Sequence, residues 1–303
     1  METVLLTGAT GFLGSHILEG LVGENYDVII LKRSFSDTWR IRHILNKIKA
    51  YNVDEISLEA VFKGNKINAV IHTATTYGKK GNGLASIIRS NLLLPVELLE
   101  LSISFKTPTF INTDSFFNTT DLNYKHLAPY SLSKKQLIEW LKTVSGKIQI
   151  VNMKLEHLYG PRDNNDKFVT WLAKECIKNE PELKLTKGEQ KRDFIYISDA
   201  VNAFISALKE KSSLPDYTEF GVGTGEMTSI RDFAIKVKET VSSVSGKKVE
   251  TFLNFGALPY TEGEIMKSKA DNAALRHLGW RCSIGLNEGL KNIVLNLIDH
   301  MDK

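Results

Sequence analysis

Cysteine, long apolar runs and net charge are all scarce in this chain. Cys176 and Cys282 are its only cysteines, with no C-x-x-C pair and no neighbour at metal-ligand spacing. Neither a disulfide framework nor a cysteine-bound metal is expected, and both are read as reduced thiols. No stretch reaches the roughly 18 apolar residues of a membrane-spanning helix. Residues 1–6 form a short apolar run that leads straight into a glycine-rich turn, so no signal peptide is expected and the cytoplasm is the expected location. A total of 39 Lys and Arg against 35 Asp and Glu leaves a formal charge of +4. Spread over this length, that surplus argues against a nucleic-acid partner and suits an anionic small substrate. Internal repeats and low-complexity tracts are also missing.

What is present is enough apolar residue, 42% of 303, to build a sizeable core. In the first half, apolar runs alternate with helical patterns. Val4–Thr7, Asp27–Leu31, Ala69–His72, Thr109–Asn112 and Ile148–Lys154 read as strands. Phe12–Val22, Trp39–Lys49, Ile87–Ser102 and Ser131–Val144 read as helices. This alternation predicts an α/β fold with a doubly wound parallel sheet of the Rossmann type. After about residue 155 the pattern becomes irregular. Helices are expected at Lys167–Asn179, Ser198–Glu210, Ser229–Ser242 and Glu288–Ile298, with a short strand at Phe194–Ile197. The expected organisation is a dinucleotide-binding domain over 1–155 and a smaller α/β substrate lobe over 156–303, some of whose segments return to the first.

Residues 7–14 read T-G-A-T-G-F-L-G, between a strand and a helix. Gly8 permits the tight turn, Gly11 lets the backbone approach a pyrophosphate, and Gly14 lets the helix pack close to the strand. The helix N-terminus then offers free N–H groups to the phosphates. An NAD site usually carries an acid after the second strand. Here Lys32 and Arg33 stand there instead, and the Arg33 fork suits the 2′-phosphate of NADP. NADP(H) is therefore favoured over NAD(H), the alternative being that both cations are solvated loop charges. Asp54 is a weaker candidate, for the adenine amine.

Tyr130 and Lys134 stand four residues apart at the start of a helix, on one face. A free Tyr has a pKa near 10, and a nearby ammonium favours its phenolate form. The pair is thus a candidate general acid–base unit. A third member is expected from the preceding strand end.

The spacing of the glycine turn and the Y-x-x-x-K pair resemble the extended short-chain dehydrogenase/reductases, the NAD-dependent epimerase/dehydratase family. Longer stretches resemble one subgroup, the CDP-abequose synthases and related nucleotide-sugar 4-ketoreductases. They are Asn112–Phe117, Met153–Gly160, Gly188–Phe194, Tyr217–Thr224 and Gly263–Met266. The resemblance implies a cofactor set that adds Thr10, Phe12, Leu13, Thr73, Ala74, Thr75 and Asn91 to Gly8, Gly11, Gly14, Lys32, Arg33, Asp54, Tyr130 and Lys134. It implies Thr113 as the third catalytic member, with Ser115 the fallback, and a substrate set of Tyr77, Asp114, Ser115, His157, Lys167, Phe168 and Arg192. No metal is expected. In the family's dehydratases a Glu follows the Thr-Asp pair and removes a proton; here Ser115 holds that position, which disfavours dehydration. Asp114 is left as a proton donor, a substrate contact or a strand-end cap. His157 stands for a family Asn near the substrate phosphates, the alternative being a structural histidine. Arg192, in R-D-F-I, is expected to grip the substrate diphosphate. Thr261 replaces a second family Arg, with Lys267 or Lys269 as substitutes.

The implied activity is NADPH-dependent reduction of the C4 keto group of a nucleotide-linked deoxysugar. The rivals are an epimerase or 4-dehydrogenase that keeps NAD bound and, more remotely, a non-catalytic NADPH sensor. The resemblance also implies a homodimer in which Ile87–Ser102 and Ser131–Val144 pair into a four-helix bundle.

Overall fold

A computed structural model describes residues 1–78, 83–118 and 127–301. The first half runs β1 (Thr3–Thr7), α1 (Phe12–Gly23), β2 (Asp27–Lys32), β3 (Lys49–Asn52), α2 (Leu58–Gly64), β4 (Ala69–His72), α3 (Leu84–Ile88), α4 (Leu94–Ser104), β5 (Thr109–Ser115), α5 (Ala128–Thr143) and β6 (Gln149–Leu155). A π-helical turn at Arg89–Leu93 joins α3 to α4. The second half runs β7 (His157–Tyr159), α6 (Phe168–Lys178), β8 (Glu182–Leu185), β9 (Lys191–Arg192), β10 (Phe194–Tyr196), α7 (Ile197–Lys209), β11 (Tyr217–Val222), β12 (Thr228–Ser229), α8 (Ile230–Ser245), β13 (Phe252–Phe255), α9 (Ala273–His277) and α10 (Leu286–Met301).

A seven-stranded sheet in the order β11-β6-β5-β4-β1-β2-β3 forms the frame, with every neighbouring pair parallel. Its inner strands β1, β2, β4, β5 and β6 are buried on both faces along most of their length, as continuous apolar runs require. Side chains alternate across the pleat. Val4, Leu6, Ile30 and Ile71 join one core with Ile17 and Leu18 of α1 and Phe204 of α7. Leu5, Ile29, Val70 and Phe110 join another with Leu98 of α4 and Leu137 of α5. Each such buried side chain contributes roughly 1.5–3 kcal/mol. A third core, with Phe233, Leu172 and Ile293, holds α6, α8 and α10 of the second half together.

The strand order reverses beside β1, and β1, β4 and β5 all end at the same edge. This is the carboxyl-end crevice where open α/β sheets take their ligands.

The Rossmann-type sheet stands as expected. One element does not. The helix expected over Trp39–Lys49 is a single 3-10 stretch, Arg42–Lys47, followed by β3. The reason is pairing: Lys49–Asn52 lies parallel on Ile29–Lys32 and extends the sheet by one strand. Before it, Arg40 is held by three hydrogen bonds to distant loops, which keeps the chain out of a helix.

Candidate active site

The turn between β1 and α1 has the geometry that its glycines suggest. Gly8 sits at φ +72°, and the Gly11 N–H donates to the Gly8 carbonyl at 2.9 Å. A Cβ on Gly8 would lie 2.6 Å from Thr73 Oγ1, and one on Gly14 would strike the Gly8 carbonyl. No side chain caps the start of α1, so its first N–H groups point out unpaired by any side chain. That uncapped turn fits a pyrophosphate. Phe12 and Leu13 turn inward from it and pack on the cores. The Thr10 carbonyl accepts from Arg40 at 3.3 Å.

The β4 end closes the turn from the other side. Thr73 Oγ1 donates to the Thr7 carbonyl at 2.7 Å, and the Ala74 N–H donates to Thr7 Oγ1 at 3.2 Å. Asn91 accepts from Thr75 Oγ1 and the Thr76 N–H, and donates to the Thr76 carbonyl and to Ser133 on α5. This Asn91 is buried and tethers the β4 end to α5.

Lys32, Arg33 and Asp54 gather at the far end, where β2 and β3 stop. Lys32 Nζ donates to Asn52 Oδ1 at 2.6 Å. The Arg33 guanidinium lies 4.8 Å from the centre of the Phe35 ring. Both Asp54 oxygens accept from Ser34, one from its N–H at 2.8 Å and one from its hydroxyl at 2.5 Å. Those bonds hold the Asp54 carboxyl below its usual pKa range.

Tyr130 and Lys134 lie on α5, above the ends of β4 and β5. Both are buried. Lys134 Nζ donates to the Thr113 carbonyl at 2.7 Å and lies 5.9 Å from the centre of the Tyr130 ring. Burial pushes the Tyr130 phenol well up; Tyr77 adds to the rise, and the Ser115 hydroxyl opposes it. Burial pushes the Lys134 ammonium down to about 8, against the pull of Asp114. The expected third member therefore divides. The Ser115 hydroxyl accepts from the Phe117 N–H at 3.3 Å, while Thr113 Oγ1 is buried with no hydrogen-bond partner among the described residues.

Asp114 continues the row of Phe110 and Asn112 along β5. It accepts from Asn118 at 3.0 Å and from Asn152 at 3.3 Å. Asn152 in turn accepts from Asn112 at 2.8 Å and donates to Glu219 at 2.9 Å. Burial raises the Asp114 carboxyl, and Lys134 opposes the rise.

Two chains of contacts join Tyr130 to the second half. Tyr77 stacks on it with ring centres 4.7 Å apart, and Lys167 Nζ sits 4.3 Å from the centre of the Tyr77 ring. On another side, Phe117 meets Tyr130 edge-on, Phe116 lies against Phe117, and His157 lies 4.1 Å from Phe116. Burial lowers the His157 pKa. Arg192, also buried, pairs with Glu264. Phe168 is placed differently: its ring packs with Trp171 and Phe233 in the third core.

Three groups escaped the sequence reading. Arg40 donates to loops on both sides of the crevice mouth. Ser34 closes on Asp54 from twenty residues away. Asn152 holds Asp114, and a polar residue in the run I-V-N-M, level with Asn112 on the next strand, was its only signal.

The family profile described as "NAD dependent epimerase/dehydratase family" matches residues 4–223. The chain belongs to the NAD dependent epimerase/dehydratase family. It is an NAD(P)-dependent enzyme of that family. A curated protein of Salmonella typhimurium named CDP-abequose synthase is 34% identical over 303 residues, covering 98% of each chain. Among solved structures, the UDP-glucose 4-epimerase of Thermotoga maritima with UDP-glucose aligns with a TM-score of 0.83 at 22% identity, over 99% of each chain. The UDP-glucose 4-epimerase of Thermus thermophilus in complex with NAD aligns with a TM-score of 0.80 at 22% identity, over 98% of this chain and 99% of that one. These two share the fold with this family member.

Proposed function

We propose that this enzyme reduces the C4 keto group of a nucleotide-diphosphate-linked deoxysugar with NADPH. The observation that carries the reading is Ser115, which follows Asp114 at the buried end of β5. A hydroxyl, not a carboxylate, stands at the position where a dehydratase needs an acidic base. Its neighbour Asp114 is tied down by Asn118 and Asn152. The near-full-length similarity to CDP-abequose synthase supports a nucleotide-sugar substrate. Solved neighbours in complex with NAD support a nicotinamide dinucleotide.

In this reading residues 1–155 bind the dinucleotide and residues 156–303 supply most of the substrate lobe. The uncapped turn at Gly8–Gly14 holds the pyrophosphate, and Arg33 faces the 2′-phosphate. Lys134 holds the nicotinamide ribose. NADPH, when bound, supplies the hydride that adds to C4. Tyr130 gives its proton to the alkoxide forming on the C4 oxygen, and its raised pKa keeps that proton in place until the oxygen turns basic. Ser115 and Thr113 orient the carbonyl. Arg192 and His157 face the diphosphate, so Glu264 must release Arg192 as substrate enters.

Identifying the nucleotide released from freshly purified, denatured protein tests this. An empty site or bound NADP(H) fits a reductase that exchanges cofactor each turnover. Tightly held NAD contradicts it and favours the epimerase or 4-dehydrogenase.

A further inference from the structure

Three groups of donors converge where β2 and β3 end, and most of them are already in use. Lys32 Nζ is turned onto Asn52 Oδ1 and the Arg33 carbonyl. The Arg33 N–H donates to Ser36 Oγ at 3.1 Å, while its guanidinium covers Phe35. The Ser34 N–H and hydroxyl, side by side, both point at the Asp54 carboxylate.

A backbone N–H beside a hydroxyl, with an Arg fork next to it, is the donor set that a phosphate dianion takes. This place, after the second strand of a glycine-turn fold, is where the adenosine ribose reaches. Here a carboxylate from the neighbouring strand end occupies the pair. The acid that an NAD site carries after β2 is missing from that loop in sequence. The fold brings one there from β3.

Resting on the dinucleotide-site reading above, we infer that Asp54 is the specificity-determining residue of this end of the crevice: it competes with the cofactor's 2′-phosphate for the Ser34 donors. The chain carries both signatures at one spot. Arg33 and Ser34 favour a 2′-phosphate. Asp54 opposes it, by filling the donors and by like charge, and accepts a free 2′-hydroxyl at no cost. NADP(H) binds with its phosphate on Ser34 only by displacing Asp54. Discrimination between the two cofactors is held down accordingly.

The test is a titration of the cofactor-free protein with 2′,5′-ADP and with 5′-AMP, which differ only in the 2′-phosphate. Asp54→Asn should tighten 2′,5′-ADP on the order of tenfold and change 5′-AMP by less than about twofold. Ser34→Ala in the Asp54→Asn background should remove that gain. Affinity for 2′,5′-ADP that is unchanged or weaker in Asp54→Asn overturns the inference, as does an equal gain for both nucleotides. Binding of neither nucleotide to any variant overturns the dinucleotide reading itself.

Discussion

Tyr130 and Lys134 are both buried, and burial is the largest influence on each. Burial holds the phenol protonated, which suits a donor to a nascent alkoxide. Tyr130→Phe should therefore lower kcat/KM with a 4-keto sugar nucleotide on the order of 10²–10⁴-fold. Circular dichroism should show the same fold; near-normal turnover would rule out the role. Lys134 brings a pH dependence of stability. Its folded pKa of about 8 lies below the ordinary lysine value of 10.5. Below pH 8 both the folded and unfolded states are protonated, and the cost of the buried charge is felt in full. Between about 8 and 10.5 the unfolded state binds more protons, so stability from this group rises with pH. Lys134→Met should accordingly stabilise most at pH 7, and its advantage should shrink by pH 9.5. Denaturant midpoints of the two proteins at both pH values give the comparison.

Among elements, the glycine turn and α5 were the most legible. Three glycines between an apolar run and a helical pattern leave few conformations, and the fold places Gly8 and Gly14 in mutual contact. Gly14→Ala should cost about 1–3 kcal/mol through overpacking against the Gly8 carbonyl, read as a lowered Tm, and should weaken nucleotide binding. β1, α1 and β4 were legible because each is a local apolar pattern. β3 was not. Its residues, Lys-Ala-Tyr-Asn, carry no apolar alternation, and only pairing with β2 makes them a strand. β11 was hidden for the same reason: it returns to the main sheet from residue 217 and pairs with β6, a contact no local pattern encodes. At the site, local spacing pointed to Tyr130 and Lys134. The positions of Asp54 and Arg40 depend on loops twenty and more residues away, so their sequence neighbours said little about them.

In the whole molecule, a buried carboxylate ties separate loops of the second half together beside the apolar packing. Asp193 accepts from the Thr224 hydroxyl and from the N–H groups of Thr224, Gly225 and Ala270. Asp193→Ala would strip four donors of their acceptor and should lower Tm by several degrees, with substrate binding lost alongside. The outer faces of α3, the π-helical turn and α5 leave Leu84, Ile88, Leu93, Leu132 and Trp140 exposed, Trp140 by 55%. Exposed apolar side chains on neighbouring helices fit the expected homodimer. Trp140→Glu should convert a dimer to a monomer in light scattering behind size exclusion. An unchanged mass would place the interface elsewhere. The central claim, C4 keto reduction, is tested most directly with NADPH deuterated at the transferable position and a nucleotide-linked 4-keto-deoxysugar. The prediction is one deuterium at C4 of the product and one NADPH consumed per sugar. Interconversion of C4 epimers without net NADPH loss, or no label at C4, would contradict it.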